Sequence, residues 1–102
     1  MSYYVYFMSN KNNTTLYLGM TNNLERRVWE HKTGFNVDCF TRRYNCVKLV
    51  YAEQTNDVKQ AIAREKQLKN WKRAWKDELI DGENPGRDDL AEGWGIAGRS
   101  PQ

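Results

Sequence analysis

The stretch Leu16 to His31, LYLGMTNNLERRVWEH, decides how the rest of the chain is read, because the hydrophobic period changes partway along it. Leu16, Leu18 and Met20 alternate with Tyr17 and Gly19, the period of a half-buried strand, so Tyr17 projects from the face opposite the leucines. A glycine in mid-strand marks a bulge or a place where something approaches the backbone closely, here on Tyr17's own face. Thr21, Asn22 and Asn23 are each suited to cap a helix. Behind them Leu24, Arg27, Val28 and His31 fall at i, i+3, i+4 and i+7, which is one helix face. Two apolar residues therefore share a stripe with a guanidinium and an imidazole. Facing the strand that carries Tyr17, they read as the polar rim of a cleft.

Upstream, the aromatic and β-branched run YYVYFM (3–8) suits a strand buried on both faces or nearly so. The turn cluster Ser9 to Thr14 joins it to the second strand as an antiparallel hairpin, which brings Tyr6 near Tyr17. Downstream, Thr33-Gly34 ends the first helix. In the polar segment Phe35 to Asn45, Arg42 and Arg43 lie between Phe40 and Tyr44, a pattern that suits base stacking and phosphate pairing as well as an ordinary solvated loop. CVKLVYAE (46–53) alternates as a third strand, with Val47, Leu49 and Tyr51 on one face and Lys48 and Val50 on the other.

From the N-cap Asp57 a helix runs with Val58, Ala61, Ile62, Glu65 and Leu68 on one face. Glu65 is the odd member, a carboxylate inside an apolar stripe. It calls for a cation, a metal or, more plainly, a surface pair with Lys69. Between Arg64 and Lys76 stand six cations with Glu65 as the only acid, and Trp71 and Trp75 are interleaved. Lys66, Lys69, Lys72, Arg73 and Lys76 form a stripe that could follow a phosphate backbone. Together these periods predict an α/β (α+β) fold, a small three-stranded, mainly antiparallel sheet of residues 3–9, 15–20 and 46–53 flanked by helices 23–32, 57–70 and 73–81.

The length of 102 residues bounds the answer to one small domain, expected over residues 1–90, with 91–102 as a flexible, Gly-rich tail. No apolar run reaches the roughly 18 residues that span a bilayer, and MSYYVYF lacks the basic start and long apolar segment of a signal peptide, so no membrane partner and a cytoplasmic location are expected. Cys39 and Cys46, with a single His in the chain, make no zinc site and read as reduced thiols. The net charge of +3 hides a division. Residues 1–76 hold 14 Lys/Arg against 6 Asp/Glu, and residues 77–102 hold 2 against 7. A basic body favours a phosphate-rich partner. The acids Asp77, Glu78, Asp81 and Glu83 could screen the cationic stripe, in which case truncation after Ile80 would tighten DNA binding.

The order Tyr4-Val5-Tyr6, Tyr17-Leu18-Gly19, Leu24-x-x-Arg27 and His31 resembles the signature of the GIY-YIG nucleases, and Ala61 to Trp71 looks like the helix that carries that family's metal-binding Glu. The resemblance covers about residues 3–90 and is nearest the short stand-alone bacterial branch. Tyr4 stands in the slot of the motif's first Gly, and Met20 where the repair endonucleases have a Lys. The resemblance implies a metal-dependent endonuclease that hydrolyses DNA phosphodiester bonds in repair or in processing of structured DNA. Its partner would be single-stranded or branched DNA, met as a monomer. Glu65 would hold one Mg²⁺ or Mn²⁺, Arg27 would stabilise the phosphate, Tyr6 or Tyr17 would be the base, and His31 would orient or assist. The alternatives are a nucleic-acid-binding module of the same fold with little turnover, and a protein-interaction domain whose basic helix meets an acidic partner.

Overall fold

The computed structural model describes residues 1–35 and 43–94. Cys39, Phe40, Arg42 and residues 95–102 of the expected tail lie outside them. Strand β1 (Tyr3–Ser9) is the middle of a three-stranded sheet in which β2 (Leu16–Thr21) and β3 (Lys48–Thr55) are both antiparallel to it, in the order β2-β1-β3. The helices are α1 (Leu24–Thr33), α2 (Val58–Lys69) and α3 (Arg73–Glu83). The expected α+β architecture is present, with element ends moved by one or two residues.

The central place of β1 explains its composition, since Val5 through Ser9 are all buried. Its two faces feed two cores. Val5 and Phe7 pack with Val50, Tyr51, Ala61, Leu68 and Ile80 under α2 and α3, joined by the half-buried Leu16, Leu18 and Met20. Tyr6 and Met8 pack with Val28, Cys46, Leu49 and Ala91 under α1, joined by Tyr17, Leu24 and Trp94. The alternation in β2 thus sends its leucines to one helix layer and Tyr17 to the other.

Strict alternation fails in β3. Phe7 faces Tyr51 but Met8 faces Leu49, so Val50 is an extra residue, a β-bulge. Leu49 therefore turns to the α1 side, while Val50 and Tyr51 both enter the opposite core. The expected grouping of Leu49 with Tyr51 is corrected by that one inserted residue. The apolar stripe of α2 is also narrower than its sequence suggests, with Ala61 and Leu68 buried but Val58 and Ile62 39% and 41% exposed. Arg64 accounts for this roll of the helix. Its guanidinium grips Glu53 on β3 through Nε and Nη2 at 2.8 to 3.2 Å, drawing that flank of α2 inward.

The acidic end of the chain is packed up to residue 94. Asn84 donates to the carbonyl of Val50 at 3.1 Å, the Leu90 N–H donates to Leu49 O at 2.8 Å, and Asp89 accepts from the Leu49 N–H at 3.1 Å while pairing with Lys32. Ala91, assigned to the tail by composition, is buried, because this segment completes the core beneath α1. Among the described residues these acids meet the cationic stripe at one point, Arg73. Asp77 pairs with Arg73 and Arg87 at 3.0 Å each, and Asp81 with Arg87 at 2.7 Å.

Candidate active site

Tyr6, Tyr17, Arg27 and His31 converge on the α1 side of the sheet. The hairpin register pairs Tyr6 with Gly19 and Met8 with Tyr17, so the two tyrosines stand diagonally on one face. Asn23 caps α1 by accepting from the Arg26 N–H at 3.1 Å, which fixes where the helix starts and hence which residues look down on the sheet. His31 then meets both rings. Its Nε2 lies 3.1 Å from the Tyr6 hydroxyl, and its ring centroid is 5.0 Å from that of Tyr17. The direction of the Tyr6 to His31 bond follows the imidazole tautomer.

Gly19 leaves the space this cluster needs. A Cβ there would come within 2.5 Å of the Tyr6 hydroxyl oxygen and 2.6 Å of Cζ. The close approach expected at this glycine is therefore made by Tyr6 itself. Tyr6 is 1% exposed, and burial pushes its hydroxyl up to about 12 against the pull of the Arg27 charge. It is a neutral phenol at physiological pH. Tyr17 is only half-buried and is the tyrosine a ligand can reach.

Arg27 is held by a residue that the sequence reading passed over. Glu30, 3% exposed, accepts from Arg27 Nη1 at 2.5 Å and from Arg26 Nε at 3.2 Å. A buried carboxylate between two guanidiniums one helical turn away keeps Arg27 charged and aimed. Burial alone would lower the Arg27 pKa, yet the Glu30 bond and the Tyr6 hydroxyl leave it raised. The signal available in sequence was the spacing Arg26, Arg27, Glu30, at i+4 and i+3.

Glu65 comes from the other helix layer. It belongs to α2, which packs on the other face of the sheet, and its side chain is 23% exposed with Lys69 Nζ 3.9 Å away. Arg64 points toward β3; one residue on, Glu65 turns about 100° to the flank of α2 away from β3. Strand β2 is an edge strand, so a ligand lying along it is open to groups from both faces. Among the described residues no three His, Cys, Asp or Glu side chains converge. A lone, partly exposed carboxylate fits a hard cation that keeps most of its water and shares substrate phosphate oxygens.

The basic stripe is uneven. Lys66, Lys69 and Lys72 are exposed, Lys72 lying over the Trp75 ring at 4.8 Å, and Lys76 is half-buried. Arg73 is committed elsewhere. It donates to Asp77 at 3.0 Å and to the carbonyls of Thr14 and Asn13 at 3.1 and 3.0 Å, pinning the β1–β2 turn. Arg43 is exposed beside Tyr44 at 5.6 Å. No helix among the described residues is long and apolar enough to cross a membrane.

Comparison with known proteins matches residues 2–78 to the family model described as the GIY-YIG catalytic domain. A UPF0213 protein of Natronomonas pharaonis is 40% identical over 81 residues, 79% of this chain and 93% of that protein. A UPF0213 protein of Syntrophus aciditrophicus is 38% identical over 84 residues, 82% of this chain and 94% of its own length. Among solved structures, the solution NMR structure of a UPF0213 protein from Bacillus halodurans has the same fold, with a TM-score of 0.57 and 24% identity across 90% of this chain and 96% of that one.

Proposed function

The chain belongs to the GIY-YIG catalytic-domain family, a family of nucleases, and from that premise we propose that it is a divalent-metal-dependent endonuclease cutting single-stranded or branched DNA, acting as a monomer in the cytoplasm in DNA repair or processing. The observation that carries this reading is Arg27, fixed by buried Glu30 beside Tyr6, Tyr17 and His31 at the edge of an open strand.

In hydrolysis of a phosphodiester, a water attacks phosphorus, loses a proton, and the leaving oxygen departs from the opposite side. Arg27 binds the non-bridging oxygens and meets the charge that grows on them in the transition state. Tyr17 reaches the substrate and orders the attacking water through its phenolic oxygen. Tyr6 stays protonated, and its bond to His31 Nε2 fixes the imidazole that orients Tyr17, whose phenolate takes up the released proton. One Mg²⁺ or Mn²⁺ on Glu65 would polarise the phosphate as a Lewis acid. Lys66, Lys69 and Lys72 draw the DNA backbone to the β2 edge, while Arg73 spends one hydrogen bond from each of its three nitrogens on Asp77 and the β1–β2 turn.

A second reading, a binding module with little turnover, draws on the same Arg27 to Glu30 pair, since a phosphate must compete with a buried carboxylate for that guanidinium. Incubation of the full chain with duplex, branched and single-stranded DNA, in Mg²⁺, Mn²⁺ or chelator, separates the two. Metal-dependent cuts by wild type that vanish in Glu65→Gln support the enzyme; binding without cuts in any metal leaves the module.

A further inference from the structure

Between the start of α1 and the last described residues lies an open groove of about 550 Å³. Its half-buried lining residues, Tyr4, Leu24 and Trp94, are aromatic or aliphatic, while Asn22, Asn23 and Glu25 are exposed. The groove adjoins the catalytic cluster. Tyr4 and Tyr6 project from the same face of β1, and Leu24 and Trp94 pack on the core that contains Tyr6.

Among the described residues no cation lines this groove and one carboxylate does, which suits it poorly to a phosphate. It suits something flat, uncharged and edged with hydrogen-bonding groups. A volume within the roughly 300 to 1,000 Å³ of small-ligand sites accommodates a nucleobase. Two aromatic side chains offer faces for stacking, which holds bases irrespective of their identity. Among the polar groups, Asn23 is occupied in capping α1, whereas Glu25 is free to accept from an exocyclic amino group.

We propose that this groove seats an unpaired nucleobase, held against Tyr4 and Trp94, of the same strand whose phosphate lies at Arg27. The inference rests on the nuclease reading and deepens it, giving the substrate a single-stranded nucleotide beside the cut. Glu25 favours a base with an exocyclic amino group, guanine, cytosine or adenine, over thymine in the groove. Tyr4 occupies the motif slot otherwise filled by Gly, so the aromatic surface it contributes belongs to this chain's own sequence.

The test is binding without turnover. Full-length protein in chelator is titrated by fluorescence anisotropy with a labelled single-stranded oligonucleotide, and with the same backbone carrying abasic sites at its central positions. Wild type should prefer the base-containing strand by about tenfold, the value expected for one stacked base. Tyr4→Ala and Trp94→Ala should each bring that ratio toward one with little change in affinity for the abasic strand, and Tyr4→Phe should keep it. Thermal unfolding of each variant identifies any that fail to fold, and Trp94→Leu, which keeps apolar bulk without an aromatic face, then replaces Trp94→Ala. Equal binding of both strands by wild type, or an undiminished ratio in folded Tyr4→Ala, overturns the proposal. Metal-dependent cleavage by wild type measured alongside keeps the two readings separate: cleavage without base preference removes the groove alone, and base preference without cleavage removes the nuclease alone.

Discussion

Tyr6 occupies the space that Gly19 leaves empty: across the β1–β2 ladder the two are partners, and a methyl group on residue 19 would lie 2.5 Å from the phenol oxygen. The Tyr6 ring is fully enclosed, so it has nowhere to retreat. Gly19→Ala should therefore cost about 1 to 3 kcal/mol, the usual range for forcing an extra carbon into a packed site. Cleavage should fall further than stability, because the displaced ring loses His31. Urea denaturation beside an activity assay checks both, and an unchanged midpoint would mean the ring relaxes freely.

The same tyrosine gives a pH prediction. Its hydroxyl titrates near 10 in an unfolded chain and at about 12 here. The neutral form is the one the fold favours, so its contribution is complete below pH 10 and is lost as pH rises toward 12, by about 1.4 kcal/mol per unit. Tyr51, pushed up by burial and by the Glu53 carboxylate, adds to the same alkaline limb. Tyr6→Phe should flatten the limb in part without removing it, as read from denaturation midpoints between pH 9 and 12.

Glu30→Gln keeps the volume next to Arg27 and removes the charge that aims it. We expect kcat to fall about tenfold or more with KM moving less, since misplacing a catalytic group by an ångström costs up to about a hundredfold. Glu30→Ala should in addition destabilise the fold, leaving two guanidiniums without their carboxylate. Steady-state kinetics on both variants decides the point; wild-type kcat in Glu30→Gln would show that Arg27 needs no holder.

The cations divide by what they touch. Lys69→Ala should lower the slope of log affinity against log salt by about 0.9 if it meets one phosphate of duplex DNA. Arg73→Ala should leave that slope alone and lower stability, because its donors bind Asp77 and the turn carbonyls. Anisotropy titrations across a salt series with parallel melts distinguish them, and a drop in slope with Arg73→Ala would return that residue to the interface.

The elements that sequence made legible were those with a strong period or a chemical marker. The change from alternation to helical spacing at Thr21 to Leu24 placed β2 and α1, and it placed Tyr17, Arg27 and His31 on facing surfaces, as they are found. Three things stayed hidden for physical reasons. A bulge at Val50 is an insertion into a pairing, visible only once the partner strand is known. Glu30 reads as a surface acid because its burial is created by the sheet beneath α1. The stretch from Ala91 has the composition of a tail, but Ala91 is buried against Met8, Val28 and Leu49, in a segment whose backbone and Asp89 are bonded to β3. That last point also changes the truncation expected to tighten DNA binding: a chain cut after Ile80 would lose Asn84, Asp89 and Ala91 together and should unfold.

The segment from Asn84 to Trp94 has a consequence for the order of events in a newly made chain. Lys32 waits for Asp89, 57 positions later, and Leu49 for Leu90, so the core beneath α1 is closed by residues made long after the helix that covers it. Contacts this far apart are slow to form, and the domain cannot settle before Asn84 to Trp94 have left the ribosome. Until release, Met8, Val28 and Leu49 lack the cover that Ala91 gives them. A chain interrupted before Asn84 would thus be a sticky fragment rather than a shorter working protein.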